Sequence, residues 1–208
     1  MKISRLLTIL FVLVSVNFAF AQSFELMAGT KRVFFDVKII KIFDGHENWS
    51  LLNRSRATAE YDEYNTDLFT GTYLNYSTNA GFGGTLVGNI SSTNSGFDVG
   101  VHYFKATSKF FAYILPAIRI KDELLLTGIS FLRYSPDLKN DWKLFLSLEV
   151  FTAFNKNGHL KSGQRARAGF SKKGYSFGLA VNILEKGTPG DEVDEVDVNP
   201  GVFVGKSF

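Results

Sequence analysis

The sequence lacks cysteine, contains only four prolines, and has no long apolar run after its first twenty residues. The absence of cysteine excludes a disulfide framework and any thiolate site. The longest later apolar stretch, residues 110–118, is followed at once by Arg119, Lys121 and Asp122. It is far shorter than the roughly 20 apolar residues that a membrane-spanning helix needs. These absences exclude a disulfide-stapled domain and argue against a helical membrane protein.

The chain also lacks a strong charge of either sign. Its 208 residues include 23 Lys and Arg and 20 Asp and Glu, for a formal net charge of +3. Two of the positive charges belong to Lys2 and Arg5, close to the N-terminus. So small an excess gives no reason to expect a nucleic-acid partner.

The first residues have the order of a secretion signal. Lys2 and Arg5 precede an apolar run over residues 6–14, and Ala19 and Ala21 form a small-x-small cleavage pattern. We therefore expect a signal peptide at residues 1–21, cleaved after Ala21, and one domain at residues 22–208. A membrane-anchoring helix is the weaker alternative, because Asn17 interrupts the apolar run.

The rest of the chain is rich in aromatic residues (15 %) and in glycine (19 residues), and it alternates between apolar and polar side chains. In residues 48–62, the odd-numbered positions include Trp49 and Leu51, whereas the even-numbered positions include Arg54, Arg56 and Glu60. Successive side chains of a strand point to opposite faces, so this segment predicts a strand with one charged face.

Similar segments recur, separated by short turns rich in glycine and asparagine. Regular alternation marks residues 31–43, 96–106, 142–155, 159–171 and 175–184, and weaker alternation marks residues 67–77, 81–91 and 124–134. The connections leave no room for crossover helices, so the sequence predicts an all-β antiparallel meander.

The number of strands depends on the two ends of the chain. Ten strands follow residue 48, the last at residues 201–208, and residues 31–43 make eleven. A short first strand at residues 24–28 gives twelve, which we favour; a segment 22–43 outside the wall gives ten. If the strands close into a barrel in a bacterial outer membrane, an even number of strands keeps both chain ends on the periplasmic side. Residues 185–200 then form an outer loop that carries the acidic, solvated run 191–197.

The alternating segments predict a transmembrane, up-and-down β-barrel that places its charged face inside. The interior charge, the aromatic strand ends and the terminal Phe208 favour this architecture. A soluble β-sandwich or lipocalin-like barrel, with its apolar face inside, is the alternative.

The end of the chain carries a resemblance. Phe208, with Val204 and Val202 at alternate preceding positions, resembles the closing strand of Gram-negative outer-membrane barrels, although Lys206 departs from that pattern. The runs at residues 49–56 and 158–160 are similar to those of an uncharacterised family of small outer-membrane β-barrel proteins. The resemblance implies an outer-membrane location, lipid around the wall, and recognition of the last strand by the barrel assembly machinery. It implies no activity.

The face opposite the apolar one concentrates charge, with arginine in excess. Two interpretations stay open: a plugged structural or interaction barrel filled by ion pairs, with Glu149 pairing to an arginine of the next strand, or a narrow porin-like channel whose lumen favours small anionic solutes. The predicted lumen-lining residues are Arg32, Asp36, Lys38, Arg54, Arg56, Glu60, Asp98, His102, Arg119, Glu149, Arg165 and Arg167.

Catalysis is the least supported class of function. The three histidines are His46, His102 and His159, and no serine lies in a GxSxG motif. His102 shares a face with Asp98, but four residues of strand separate them by roughly 13 Å. A lipid-modifying outer-membrane enzyme therefore stays only as an alternative. The acidic run lacks the spacing of an EF-hand loop, and we expect no cofactor or metal site.

Overall fold

The computed structural model describes residues 22–62, 66–92, 95–119, 124–187 and 193–208, so the predicted signal peptide lies outside the described residues. Within these ranges every regular element is a strand, and no helix is long and apolar enough to cross a membrane. The strands are β1 (Ser23–Gly29), β2 (Arg32–Phe43), β3 (His46–Glu60), β4 (Thr66–Ser77), β5 (Phe82–Ser91), β6 (Ser95–Ala106), β7 (Phe110–Arg119), β8 (Leu125–Tyr134), β9 (Lys143–Asn155), β10 (Gly158–Lys172), β11 (Tyr175–Gly187) and β12 (Val193–Ser207).

The twelve strands form one closed barrel. Each strand pairs antiparallel with the next, and β1 pairs with both β2 and β12. Ser23, for example, lies opposite Lys38 on one side and Ser207 on the other. Closure removes the exposed sheet edges that an open meander would leave. The predictions of an all-β fold and of twelve strands are confirmed, and the β-sandwich alternative is wrong.

The two faces of the wall differ in the way that alternation requires. On β6, Phe97, Val99 and Val101 are exposed, whereas Asp98 and His102 are buried. On β11, Phe177 and Leu179 are likewise exposed on the outer face. An outer belt of exposed apolar side chains suits contact with lipid hydrocarbon. The lipocalin-like alternative, which keeps its apolar face inside, is wrong.

Aromatic side chains gather at one end of the barrel, which we call the near rim. It is the end at which β1 begins and β12 ends, and it includes the turns at residues 44–45 and 173–174. Trp49 packs edge-on against Tyr76, with ring centroids 5.1 Å apart, and Trp142 packs similarly against Phe170 and Phe177. Such a girdle is typical of a membrane–water interface.

The interior also contains apolar clusters, which the alternation of apolar and polar residues does not predict. Phe145 on β9 contacts Phe203 on β12, and their ring centroids are 5.5 Å apart. Because these strands are three places apart in the ring, the contact runs through the inside of the barrel. Two clusters fill this space: Met27, Phe34, Ala180 and Phe203 form one, and Tyr73, Val87, Tyr113, Leu115 and Ala117 form the other.

The predicted bounds of the last strand and of the outer loop are wrong. β12 begins at Val193 instead of residue 201, so most of the predicted loop 185–200 belongs to β11 and β12. Pro200 lies inside β12, just beyond Gly201, which is the last partner of β1. Since β1 has ended there, the missing proline N–H removes no bond to it. Residues 188–192 lie outside the described part.

Candidate functional site

Six charged side chains from β2, β3, β9 and β10 meet inside the barrel, and we call them the cross-barrel cluster. Arg54 lies at its centre and is almost fully buried. Its Nε and Nη2 donate to the Asp36 carboxylate at 2.6 and 2.9 Å, and Nη2 also donates to Glu149 at 2.5 Å. The members are Asp36, Lys38, Arg54, Arg56, Glu149 and Arg165.

The cluster connects opposite walls. β3 and β9 are six places apart in the ring of twelve strands, so the contact between Arg54 and Glu149 crosses the whole interior. Arg56, also on β3, donates to Asp36 at 3.1 Å and to Glu149. Arg165 lies directly opposite Glu149 in the pairing of β9 with β10 and donates to it at 2.5 Å. Glu149 thus accepts from three arginines.

Strand register and aromatic rings hold the cluster in place. The pairing of β2 with β3 sets Asp36 opposite Arg56 and Lys38 opposite Arg54. The Arg54 guanidinium lies 4.8 Å from the ring centroid of Phe131, and that of Arg165 lies 4.8 Å from the ring centroid of Phe34. Cation–π contacts of this kind stabilise the guanidinium groups, and they are stronger where the cation has lost part of its hydration shell.

Other residues of the predicted set pair outside the cross-barrel cluster. Arg119 donates to Asp98 through Nε and Nη2, at 2.6 and 3.0 Å. Arg167 does not pair with Glu149; its Nε donates to Glu25 on β1 at 2.8 Å. The predicted set is therefore brought together only in part.

Arg32 belongs to a third group, near the end of the barrel opposite the near rim. It contacts Glu60 at 3.6 Å and also pairs with Asp197. Sequence reasoning missed Asp197 because that residue lay in the predicted loop 185–200. It missed Glu25 because the alternation was not extended through the seven-residue β1.

His102 belongs to a network of hydroxyl and amide groups. Its Nε2 lies 2.8 Å from the Ser77 hydroxyl, and its Nδ1 lies 2.7 Å from the Thr85 hydroxyl. The Asn75 side-chain oxygen accepts from Thr85 and from Tyr113, each at 2.9 Å. No carboxylate of the described residues bonds to the His102 ring, and the same residues contain no cluster arranged to hold a metal ion.

The closed meander, the apolar outer belt and the charged interior define a transmembrane, up-and-down β-barrel. No protein-family model and no curated protein sequence matches the chain. Solved structures do match. The NanC porin is 9 % identical, with a TM-score of 0.53 over 89 % of this chain and 97 % of its own.

A second porin gives weaker matches of similar extent. The KdgM porin, in a complex with disordered oligogalacturonate, is 12 % identical with a TM-score of 0.49, and alone it has a TM-score of 0.48. Both matches cover 89 % of this chain and 98 % of the other. At such low identity, the likeness to NanC bears on the fold alone.

Proposed function

We propose that the protein is a narrow, porin-like channel that passes small solutes and prefers anions, with the cross-barrel cluster as its constriction. One observation carries the proposal: within the cross-barrel cluster, two carboxylates face four cationic groups, those of Lys38, Arg54, Arg56 and Arg165. The neighbouring pair of Glu25 with Arg167 adds one charge of each sign and leaves this excess of two unchanged. An excess of positive charge in a confined, low-dielectric passage attracts anions and repels cations.

The proposed constriction contains one unpaired donor. Arg54 Nη1 is buried and has no hydrogen-bond partner among the described residues. A buried, unsatisfied donor is unfavourable, so water or an anionic oxygen that reaches it would be held there. The remaining predicted lining residues, with their pairs on β1, β6, β7 and β12, would form the wall above and below.

The alternative is a plugged barrel that conducts nothing, and the cross-barrel contact between Arg54 and Glu149 favours it. The experiment is a planar-bilayer recording of the purified protein under a KCl gradient. Steps with an anion-selective reversal potential support the channel. Cation-selective steps contradict the anion preference, and silence from protein shown to be inserted supports the plug.

The location and assembly of the barrel form part of the same proposal. We infer that residues 1–21 are removed, that the near rim faces the periplasm, and that Phe208, Val204 and Val202 are read by the barrel assembly machinery. Mass spectrometry of the mature protein should find Gln22 at its N-terminus. Phe208→Ala should lower the yield of folded barrel, whereas Phe97→Ala, on the outer face of β6, should leave it unchanged.

We propose no catalytic role for His102. Both of its ring nitrogens are engaged by hydroxyl groups, and the nearby Asp98 is paired with Arg119 instead. A lipid-modifying enzyme would need an acid or an equivalent group to orient the histidine beside a nucleophile. If an envelope lipid activity were lost in His102→Ala, the inference would be wrong.

A further inference from the structure

An apolar groove lies on the outer wall of β9 to β12, and we call it the outer groove. Its volume is about 610 Å³. The small side chain of Ala168 lies at its centre, and Leu144, Phe170, Phe177, Leu179 and Val202 surround it. Phe170, Phe177, Leu179 and Val202 are exposed among the described residues, so the groove opens outward.

Strand pairing places two lysines directly beyond the groove, toward the near rim. Ala168 pairs with Leu179, and Phe170 pairs with Phe177 one step closer to the rim. In the next step, Tyr175 pairs with Lys172 on one side and with Lys206 on the other. Each step is two residues, or about 7 Å of strand, so the lysines begin where the groove ends.

Neither lysine is neutralised by an acidic side chain. Lys206 Nζ lies 3.8 Å from the ring centroid of Tyr175 and donates to the carbonyl of Lys173 at 2.9 Å. Lys172 Nζ lies 5.1 Å from the ring centroid of Trp142. In the described part of the chain, no aspartate or glutamate is within ion-pair distance of either ammonium group. Both therefore keep donors and charge for an external anion.

We propose that the outer groove and these lysines bind one molecule of anionic phospholipid. An acyl chain would lie along Ala168, and the phosphate would contact Lys172 and Lys206. Charge complementarity selects this occupant, because basic residues at the end of an apolar wall attract anionic headgroups. The proposal rests on the membrane location argued above. It also gives a reason for Lys206, which departs from the apolar pattern of closing strands.

The common alternative is that the lysines merely extend to the interface, as lysine does at many membrane surfaces. That behaviour needs no groove and predicts no preference between lipids at this site. A preference that depends both on the lysines and on the open space at Ala168 separates the two explanations.

The two tryptophans of the chain supply a local probe and an internal reference. Trp142 packs against Phe170 and Phe177 of the groove, whereas Trp49 lies on β3, three places from β12, the nearest strand of the groove. The single-tryptophan variants Trp49→Phe and Trp142→Phe would be placed in phosphatidylcholine vesicles. Quenching by a small fraction of dibrominated phosphatidylglycerol would then be compared with quenching by dibrominated phosphatidylcholine.

We expect Trp142 to report an association of phosphatidylglycerol at least about fivefold stronger than that of phosphatidylcholine, on the scale of one lysine near an anionic lipid. Trp49 should report a ratio near one. Lys172→Ala combined with Lys206→Ala should bring the Trp142 ratio close to one. Lys105→Ala, an exposed lysine at the end of β6, is the matched control and should change nothing.

Filling the groove tests the apolar half of the site. Ala168→Phe should lower the phosphatidylglycerol preference at Trp142, whereas Ala57→Phe, on the outer face of β3, should not. Equal ratios at both tryptophans, or a ratio that survives loss of both lysines, would overturn the lipid site and leave the channel proposal standing. If neither lipid quenched either tryptophan, the membrane location itself would be wrong.

Discussion

At the scale of single residues, Glu149 is the side chain on which the interior charges depend most. It accepts from Arg54, Arg56 and Arg165, which come from both sides of the barrel. Removing one member of a buried ion pair leaves the partner's charge uncompensated in a low-dielectric surrounding. The three arginines would then share Asp36 alone or repel one another.

Glu149→Gln should therefore destabilise the folded barrel by about 3 kcal/mol, since it removes the charge but keeps the shape. The measurement is the free energy of unfolding in urea. Glu195→Gln is the matched control: Glu195 pairs with Lys186 at 3.0 Å where both side chains are more than half exposed, so its loss should cost at most about 1 kcal/mol. Equal effects of the two substitutions would contradict the importance assigned to the cluster.

Glycine at position 83 makes room for His102. A Cβ atom there would lie only 2.7 Å from the His102 ring and closer still to the carbonyl oxygen of Tyr76. Gly83→Ala should destabilise the barrel by about 1–3 kcal/mol, the usual range for overpacking. At Gly88 of the same strand a Cβ would meet nothing within 4 Å, so Gly88→Ala should be neutral. Chemical denaturation of the two variants side by side checks the difference.

At the scale of strands, the alternation of side chains predicted most of the fold because its period of two residues is fixed by the backbone. It failed where other residues broke the pattern. The acidic residues and Pro200 interrupt the alternation in the first half of β12, so the sequence did not predict a strand there. This half pairs with β11 as far as Val193. There β12 extends past β1, and the Asn199 side chain replaces backbone pairing by accepting from the Lys31 amide at 2.9 Å.

The short β1 closes the barrel, and a disulfide can test that closure because the chain has no cysteine of its own. Leu26 and Val204 are direct partners on the outer face. Opposite residues of antiparallel strands have Cα atoms about 4.5–5.5 Å apart, within disulfide range. Leu26→Cys with Val204→Cys should cross-link under mild oxidation, seen as a mobility shift on non-reducing gels.

The control pair for this cross-link is Leu26→Cys with Val202→Cys. Val202 precedes Val204 by two residues in β12 and lies on the same face, at a diagonal distance of roughly 7–8 Å from Leu26. It should cross-link poorly. Efficient cross-linking of the control, or none in the direct pair, would mean that β1 does not close the barrel in the register described.

At the scale of the whole molecule, the sequence predicted which residues carry charge but not which of them meet. Arg54 and Glu149 are 95 positions apart, and their contact depends on the order of twelve strands and on the stagger between them. No local pattern encodes that arrangement. The neighbouring pair of Glu149 with Arg165 was predictable because both lie on adjacent strands.

The cross-barrel cluster joins two opposite walls of the barrel, and we expect it to control conduction. Replacing both Arg54 and Arg56 by alanine removes the side chains that connect β3 to Glu149 on β9, and it cancels the excess of two positive charges. In planar bilayers, single-channel conductance should rise severalfold because the connecting side chains are gone. The reversal potential should move toward zero because the constriction loses its excess positive charge. Arg133→Ala, an inward arginine of β8 that contacts the Phe111 ring outside the cluster, is the control and should keep the anion preference. If the double variant conducted as the unmodified protein does, the constriction would have to lie at another level of the barrel.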